Sequence, residues 1–184
     1  MCKRALSLIG ILALVAFLLP APVRAADFPA TLEEDGVTFE KRGAGLFRWR
    51  GIFAVYDGAL HMPTGLSRAD FFEDVPKRLE LIYRRAFSAD QIVQGGNELL
   101  AENATKEELE PLRERIDRIN AAYVDVQRGD RYTLTYVPDK GTTLRLNGKP
   151  LVTIPGHDFA RVYFRIWLGE SPISASFRDT LFGE

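Results

Sequence analysis

The sequence predicts an α+β domain in which helices cover one face of an antiparallel sheet. Two blocks of strand-like segments, rich in β-branched and aromatic residues, are each followed by segments with helical spacing of apolar residues. Tight-turn signals join neighbouring strands within a block, and strands joined in this way pair antiparallel. The order of strands, helices, strands and helices is typical of α+β domains. A chain of 184 residues suits one such domain.

The first 25 residues have the features of a secretory signal peptide, and we predict cleavage before Ala26. Lys3 and Arg4 form a basic start, and an apolar run over residues 5–19 follows them. That run spans about 22 Å as a helix, which is less than the ~30 Å core of a bilayer. We therefore expect a periplasmic or secreted protein without a transmembrane segment in its mature form.

The predicted mature domain, residues 26–184, has a composition that argues against several classes of function. The whole chain carries a net charge of −1 and the leader holds only basic charges, so the mature domain is weakly acidic. A weakly acidic surface argues against a nucleic-acid partner. The single cysteine, Cys2, lies in the leader, which removes disulfides and thiolate chemistry. The two histidines, His61 and His157, are far apart, so we predict no metal site and no cofactor.

The first block of strands follows an irregular entry segment, residues 26–35. Residues 37–41 alternate as a strand, and the glycine-rich residues 42–45 predict a turn. Residues 46–62 form a long strand-like stretch whose glycines indicate bulges or bends. Pro63 ends this stretch.

Capping signals predict the elements between the two blocks. Residues 67–70 predict one helical turn, and alternation over residues 77–87 favours a strand. Ser88 with Gln91 three residues later resembles a capping box, and the helix that follows should end near Asn103. Thr105 predicts a second helix, which a proline in its first turns should disturb.

The second block predicts three strands and two final helices. The strands cover residues 132–137, 142–146 and 149–154, with turns at 138–141 and at Asn147-Gly148. The helices run from Asp158, as the cap, to 168 and from 174 to 181.

Arg48 and Arg50 are the residues whose position most suggests ligand chemistry. Residues i and i+2 of a strand point to one face, so these arginines share a face and the aromatic residues beside them take the other. An arginine on a covered face needs an anion, because an unpaired buried charge is costly. The anion is either a carboxylate of the same chain or a carboxylate or phenolate ligand, which a guanidinium binds through two hydrogen bonds.

Several stretches together resemble the chalcone isomerase-like family, in its bacterial exported branch. These are GDRYTLTYVP at 129–138 and IWLGESPIS at 166–174, with residues 55–63 and 76–81. The resemblance implies an open-faced β-sandwich of the chalcone isomerase type, in which helices back an antiparallel sheet and a cleft lies between them. It also implies one of two activities, since some members cyclise chalcones and others bind fatty acids.

The resemblance also implies which residues face the cleft. The family's arginine matches Arg48, or Arg50 if the register is shifted, and its strand threonine falls on or near Tyr56. The family's helix asparagine matches Asn103, and its late polar position falls on Ile166, which is apolar. We therefore expect Arg48, Tyr56, Asn103 and Ile166 to bind a ligand, and we assign no catalytic residue.

Three hypotheses for function follow from the sequence. The first is a non-catalytic binder of a small lipophilic carboxylate or phenolate, such as a fatty acid. The second is an isomerase or intramolecular lyase acting on an unknown substrate. The third is a structural or partner-binding module of the cell envelope, which predicts that Arg48 pairs with a carboxylate of its own chain.

Overall fold

A seven-stranded antiparallel sheet organises residues 27–184, which are the residues that the computed structural model describes. The predicted leader and its cleavage before Ala26 lie outside these residues. The strands lie in the sheet in their order along the chain. Their bounds are β1 Thr31–Glu34, β2 Val37–Trp49, β3 Phe53–Met62, β4 Lys77–Tyr83, β5 Arg131–Val137, β6 Gly141–Leu146 and β7 Lys149–Ile154.

Within residues 27–184, six α-helices and two short 3-10 helices connect or follow the strands. The α-helices are α1 Ala89–Asn103, α2 Lys106–Leu109, α3 Arg113–Asn120, α4 His157–Tyr163, α5 Arg165–Leu168 and α6 Ala175–Phe182. The 3-10 helices are Arg68–Asp70 and Glu110–Leu112. Within residues 27–184, none of the helices combines the length and the apolar character that crossing a membrane requires.

The sheet has two different faces because its residues alternate. In β4, Leu79, Leu81 and Tyr83 belong to the apolar core, which includes residues of α1, α4, α5 and α6. Arg78 and Glu80 point to the opposite face, and the same alternation continues in β5. The helices therefore cover one face of the sheet, as the α+β prediction required.

The face away from the helices carries a network of charges. The sheet curls far enough that Glu34 of β1 contacts Arg78 of β4 and Arg145 of β6, at 2.6 Å in the second case. Glu80, only 1% exposed, bonds both Arg78 and Arg131. Each buried carboxylate therefore meets a guanidinium, which offsets the cost of burying its charge.

The turn predicted at residues 42–45 is wrong, because β2 runs through these residues with a bulge beside Gly43. The glycines allow helix α6 to approach the strand. A Cβ atom on Gly43 would lie 2.1 Å from the Thr180 carbonyl oxygen, and one on Gly45 would lie 2.7 Å from the Thr180 side chain. The chain instead turns at residues 50–52, before β3 begins.

Of the other predicted elements, two are confirmed and two differ from the structure. The helix capped by Ser88 and the hairpin at Asn147-Gly148 are confirmed. Strand β1 lies in the segment that the sequence predicted to be irregular. Asp158 does not cap a helix, because Gly156 occupies that position and the Asp158 carboxylate pairs with Arg115 at 2.5 Å.

Candidate functional site

An apolar cavity of about 140 Å³ lies between the helix-covered face of the sheet and helix α1. Its lining comes mainly from β3, β4, α1 and the α4–α5 region, and it is partly open to solvent. The lining contains aliphatic side chains, four tyrosines and a tryptophan, together with the amides Gln91 and Asn120. No charged side chain lines it, so within residues 27–184 this cavity is neutral as well as apolar.

The pairing of β3 with β4 brings together the aromatic side chains on one side of the cavity. Tyr56 of β3 lies opposite Tyr83 of β4, and their rings meet edge to face with centroids 5.6 Å apart. Both side chains are on the helix-covered face, because Asp57, the next residue, points away and pairs with Arg84 at 2.7 Å. The period of the strand therefore directs an aromatic residue into the cavity and a charged one out of it.

Two glycines leave room on the helical side. Gly95 and Gly96 of α1 both line the cavity. A Cβ atom on Gly95 would meet no atom within 4 Å, and one on Gly96 would lie 4.0 Å from Ile166 Cδ1. Glycines inside a helix reduce its stability, by about 1 kcal/mol each relative to alanine. These two glycines therefore leave space in the cavity that side chains would otherwise occupy.

Three tyrosine hydroxyls in the cavity are hydrogen-bonded, one to Trp167 and two to each other. The Trp167 Nε1–H group donates to the Tyr56 hydroxyl at 3.2 Å, and the Tyr123 and Tyr163 hydroxyls lie 3.0 Å apart. Burial raises the pKa of Tyr56, Tyr123 and Tyr163 above its ordinary value, so these groups are neutral near pH 7. A neutral phenol donates a hydrogen bond to a ligand oxygen, but it is a poor general base.

The structure brings together two of the four residues for which we expected a ligand role. Tyr56 and Ile166 both line the cavity. Arg48 is exposed and is not among the lining residues, because Phe47 takes the inward position and contacts Tyr56 with ring centroids 5.1 Å apart. Arg50 is also exposed and lies in the turn, with its guanidinium 4.4 Å from the centroid of the Trp49 ring.

Asn103 lies outside the apolar cavity, at the end of α1, where it makes backbone contacts. Its amide donates to the Ser171 carbonyl at 2.6 Å and to the Leu99 carbonyl at 2.9 Å, and its oxygen accepts from the Ser171 amide at 3.1 Å. It borders a polar depression that also includes Arg165, whose guanidinium pairs with Glu108 at 3.0 Å. These bonds join α1 to the segment after α5.

Sequence reasoning did not assign Tyr83, Tyr123 or Tyr163 to the site. The alternation of Leu79, Leu81 and Tyr83 was visible and places Tyr83 with the core, but it does not show that a cavity is there. In residues 27–184, no group of three or more histidine, cysteine, aspartate or glutamate side chains is arranged to hold a metal ion.

A match to a family model shows which protein family this chain belongs to. The model described as chalcone isomerase-like matches residues 21–183. The chain belongs to the chalcone isomerase-like family. The resemblance recognised from the sequence motifs is therefore confirmed at the level of the family. A search of curated protein sequences found no match.

The fold of this chalcone isomerase-like protein is similar to that of a solved structure. It is a crystal structure of a fatty-acid binding protein from Arabidopsis thaliana, with a TM-score of 0.61 and 14% sequence identity. The similarity covers 84% of this chain and 90% of the plant protein. The shared architecture is a curled antiparallel sheet with helices on one face.

Proposed function

We propose that this protein is a non-catalytic binding protein for a lipophilic molecule such as a fatty acid. The observation that carries the proposal is the neutral, apolar cavity between the sheet and α1, to whose lining residues 27–184 contribute no charged side chain. Small-molecule sites are typically concave and mostly apolar, with a few polar groups that fix the orientation of the ligand. The plant protein of similar fold described above is a fatty-acid binding protein, which supports the same class of ligand.

The size of the cavity bears on how much of the ligand is buried. A cavity of about 150 Å³ holds a benzene-sized group, so about 140 Å³ accommodates a short part of an acyl chain. The remainder of a longer chain extends through the open side or requires α1 to move. The glycine pair in α1 leaves room for the chain, because it places no side chain between the helix and the cavity.

Tyr56 is the group that we propose to bind the polar end of the ligand. Its hydroxyl accepts a hydrogen bond from Trp167 Nε1–H, which leaves its own proton for a ligand oxygen. This differs from the arrangement expected from the sequence, in which Arg48 would bind the carboxylate. A neutral hydrogen-bond donor such as this hydroxyl discriminates less than an arginine between ligands that end in a carboxylate, an ester or an alcohol.

We also propose that the protein is exported, as a member of a bacterial exported branch of the family. The basic start, the apolar run and the small residues before Ala26 support cleavage and a periplasmic or secreted location. An exported binding protein would meet lipophilic molecules outside the cytoplasm.

The experiment is a displacement titration with a fluorescent fatty acid on the purified protein, together with mass spectrometry of molecules released on denaturation. Affinity should rise about fourfold per methylene group, at ~0.8 kcal/mol each, until the cavity is filled, and should then level off. The matched comparison is the fatty alcohol of each chain length. Because no charged side chain among residues 27–184 lines the cavity, nothing there offsets the cost of dehydrating a carboxylate, and we expect the alcohol to bind at least as tightly as the acid.

Two results would contradict the proposal. The first is the absence of any saturable acyl or alcohol binding by the folded protein. The second is affinity that does not change with chain length, which would exclude burial of the chain in the cavity. A strong preference for the acid would support the ligand class but assign its carboxylate to a cationic side chain instead of Tyr56.

A further inference from the structure

The tip of the β2–β3 hairpin, residues 48–53, exposes apolar side chains in an unusual concentration. Ile52 is 72% exposed, Trp49 50% and Phe53 46%. Among residues 27–184, only one other large apolar side chain, Val124, is similarly exposed. Single exposed apolar residues are common on protein surfaces, but a group of them at one hairpin tip indicates an interaction site.

The backbone of the tip has a conformation that arginine disfavours. Arg50 and Gly51 have φ angles of 51° and 72°, and hydrogen bonds close the turn from Ile52 N to Trp49 O at 3.2 Å. Two consecutive residues with positive φ favour Asn-Gly, which this chain uses in its two-residue turn at Asn147-Gly148 with φ angles of 51° and 81°. Arginine is less suited than asparagine to the left-handed region, so Arg50 is present at the expense of turn stability.

Three exposed arginines lie in the tip or next to it. The Arg50 guanidinium lies 4.4 Å from the centroid of the Trp49 ring, and that of Arg85 lies 5.8 Å from the centroid of the Phe53 ring. Arg48 is on the last part of β2 and is exposed, as are the other two. None of the ion pairs within residues 27–184 involves these three arginines.

From this arrangement we propose that the tip of the β2–β3 hairpin docks on the surface of an anionic lipid bilayer. Tryptophan and phenylalanine rings insert at the level of the headgroups, where an aromatic ring is partly dehydrated. Arginines beside them attract anionic headgroups, and no carboxylate lies within residues 48–53 to oppose that attraction. Exposed aromatic and aliphatic side chains, with arginines beside them that are unpaired within residues 27–184, match the apolar interior and anionic headgroups of such a bilayer.

The docking tip is close in sequence to the cavity. Val55, which lines the cavity, follows Phe53 by two residues in the same strand. Docking would therefore hold this end of the cavity near a source of lipophilic molecules. The proposal does not depend on what the cavity binds, because it rests on the surface of the hairpin alone.

The experiment is co-sedimentation of the protein with two kinds of vesicle. One contains phosphatidylcholine alone, and the other contains equal parts of phosphatidylcholine and phosphatidylglycerol. We expect binding to the anionic vesicles that weakens at high salt, and a loss of about fivefold in affinity for each arginine removed. Arg48→Glu and Ile52→Ser should each reduce binding. Lys106→Glu is the matched charge control on the exposed start of α2, and it should bind as the wild type does.

A second measurement follows the depth of the tip. The chain contains two tryptophans, so Trp167→Phe leaves Trp49 as its one fluorescent indole. Anionic vesicles should shift the Trp49 emission to shorter wavelength, and brominated lipid should quench it. Circular dichroism checks that each variant is folded. The proposal is overturned if no vesicle is bound, if Lys106→Glu lowers binding as much as Arg48→Glu does, or if the Trp49 emission is unchanged by bound vesicles.

Discussion

Replacement of Gly96 by leucine should stabilise the protein and weaken ligand binding at the same time. Gly96 lies in α1 and lines the cavity, and a Cβ atom placed there would have Ile166 Cδ1 as its neighbour at 4.0 Å. The leucine side chain therefore has space, and that space is the proposed ligand site. Opposite effects on stability and binding are the result that distinguishes a ligand cavity from an ordinary packing defect.

Gly96→Leu should stabilise the protein by about 2 kcal/mol and raise the Kd of the ligand about 15-fold. Removing a glycine from the interior of a helix contributes about 1 kcal/mol to stability. Burying part of a leucine in a partly open cavity contributes about 1 kcal/mol more, below the 1.5–3 kcal/mol of complete burial. A total of about 2 kcal/mol should raise Tm by about 4–8 °C for a domain of this size. If the leucine displaces about two methylene groups of the ligand, the loss is ~1.6 kcal/mol, or about 15-fold in Kd.

Gly96→Ala is the matched control, because it improves the helix with little filling of the cavity. We expect it to add about 1 kcal/mol to the free energy of unfolding and to change Kd by less than about threefold. Thermal unfolding and the fluorescent fatty-acid displacement titration measure both quantities. Unchanged binding by a stable Gly96→Leu protein would show that the ligand does not use this cavity. A destabilised Gly96→Leu protein would show that the space beside Ile166 is not free.

The contributions of Arg48, His61 and the leader can each be tested separately. Arg48→Ala should change fatty-acid affinity by less than about threefold, because Arg48 is exposed and does not line the cavity. A tenfold or greater loss of affinity in the same titration would show that Arg48 binds the ligand carboxylate. His61 is buried and burial lowers its pKa, so the unfolded chain binds a proton that the folded chain does not. The free energy of unfolding should therefore fall as pH drops below about 6.5. Denaturant titrations at several pH values should show that this free energy depends less on pH in His61→Asn than in the wild type, between about pH 5 and 6.5. N-terminal sequencing of the native protein should begin at Ala26, and a retained Met1 would disprove cleavage.

The parts of the fold that the sequence predicted well are those that local interactions determine. The cap at Ser88 uses its own hydroxyl and Gln91, and the Asn147-Gly148 turn needs only its own backbone preference. The wrong turn at residues 42–45 has a different cause. Gly43 is required by the close approach of Thr180 in α6, and no pattern near Gly43 indicates a contact with a residue so distant in the chain.

The candidate site was predicted only in part for a related reason. Alternation correctly separated Arg48 from Phe47, but it does not say which face the helices cover. The family resemblance then assigned Arg48 to the cleft, whereas packing assigned the inward position to Phe47 beside Tyr56. Tyr123 and Tyr163 come from separate helical segments, and their hydroxyls meet only after those segments fold onto the sheet.

The neutrality of the cavity depends on the register of β3. Asp57 follows Tyr56 directly, and its carboxylate forms two hydrogen bonds to the Arg84 guanidinium, at 2.7 and 2.8 Å, on the face away from the cavity. A slip of one residue would exchange the faces and place that carboxylate among apolar side chains, where an unpaired charge is very unfavourable. The Asp57–Arg84 pair therefore supports binding without touching a ligand. It holds the register in which Tyr56 lies opposite Tyr83 and faces the cavity.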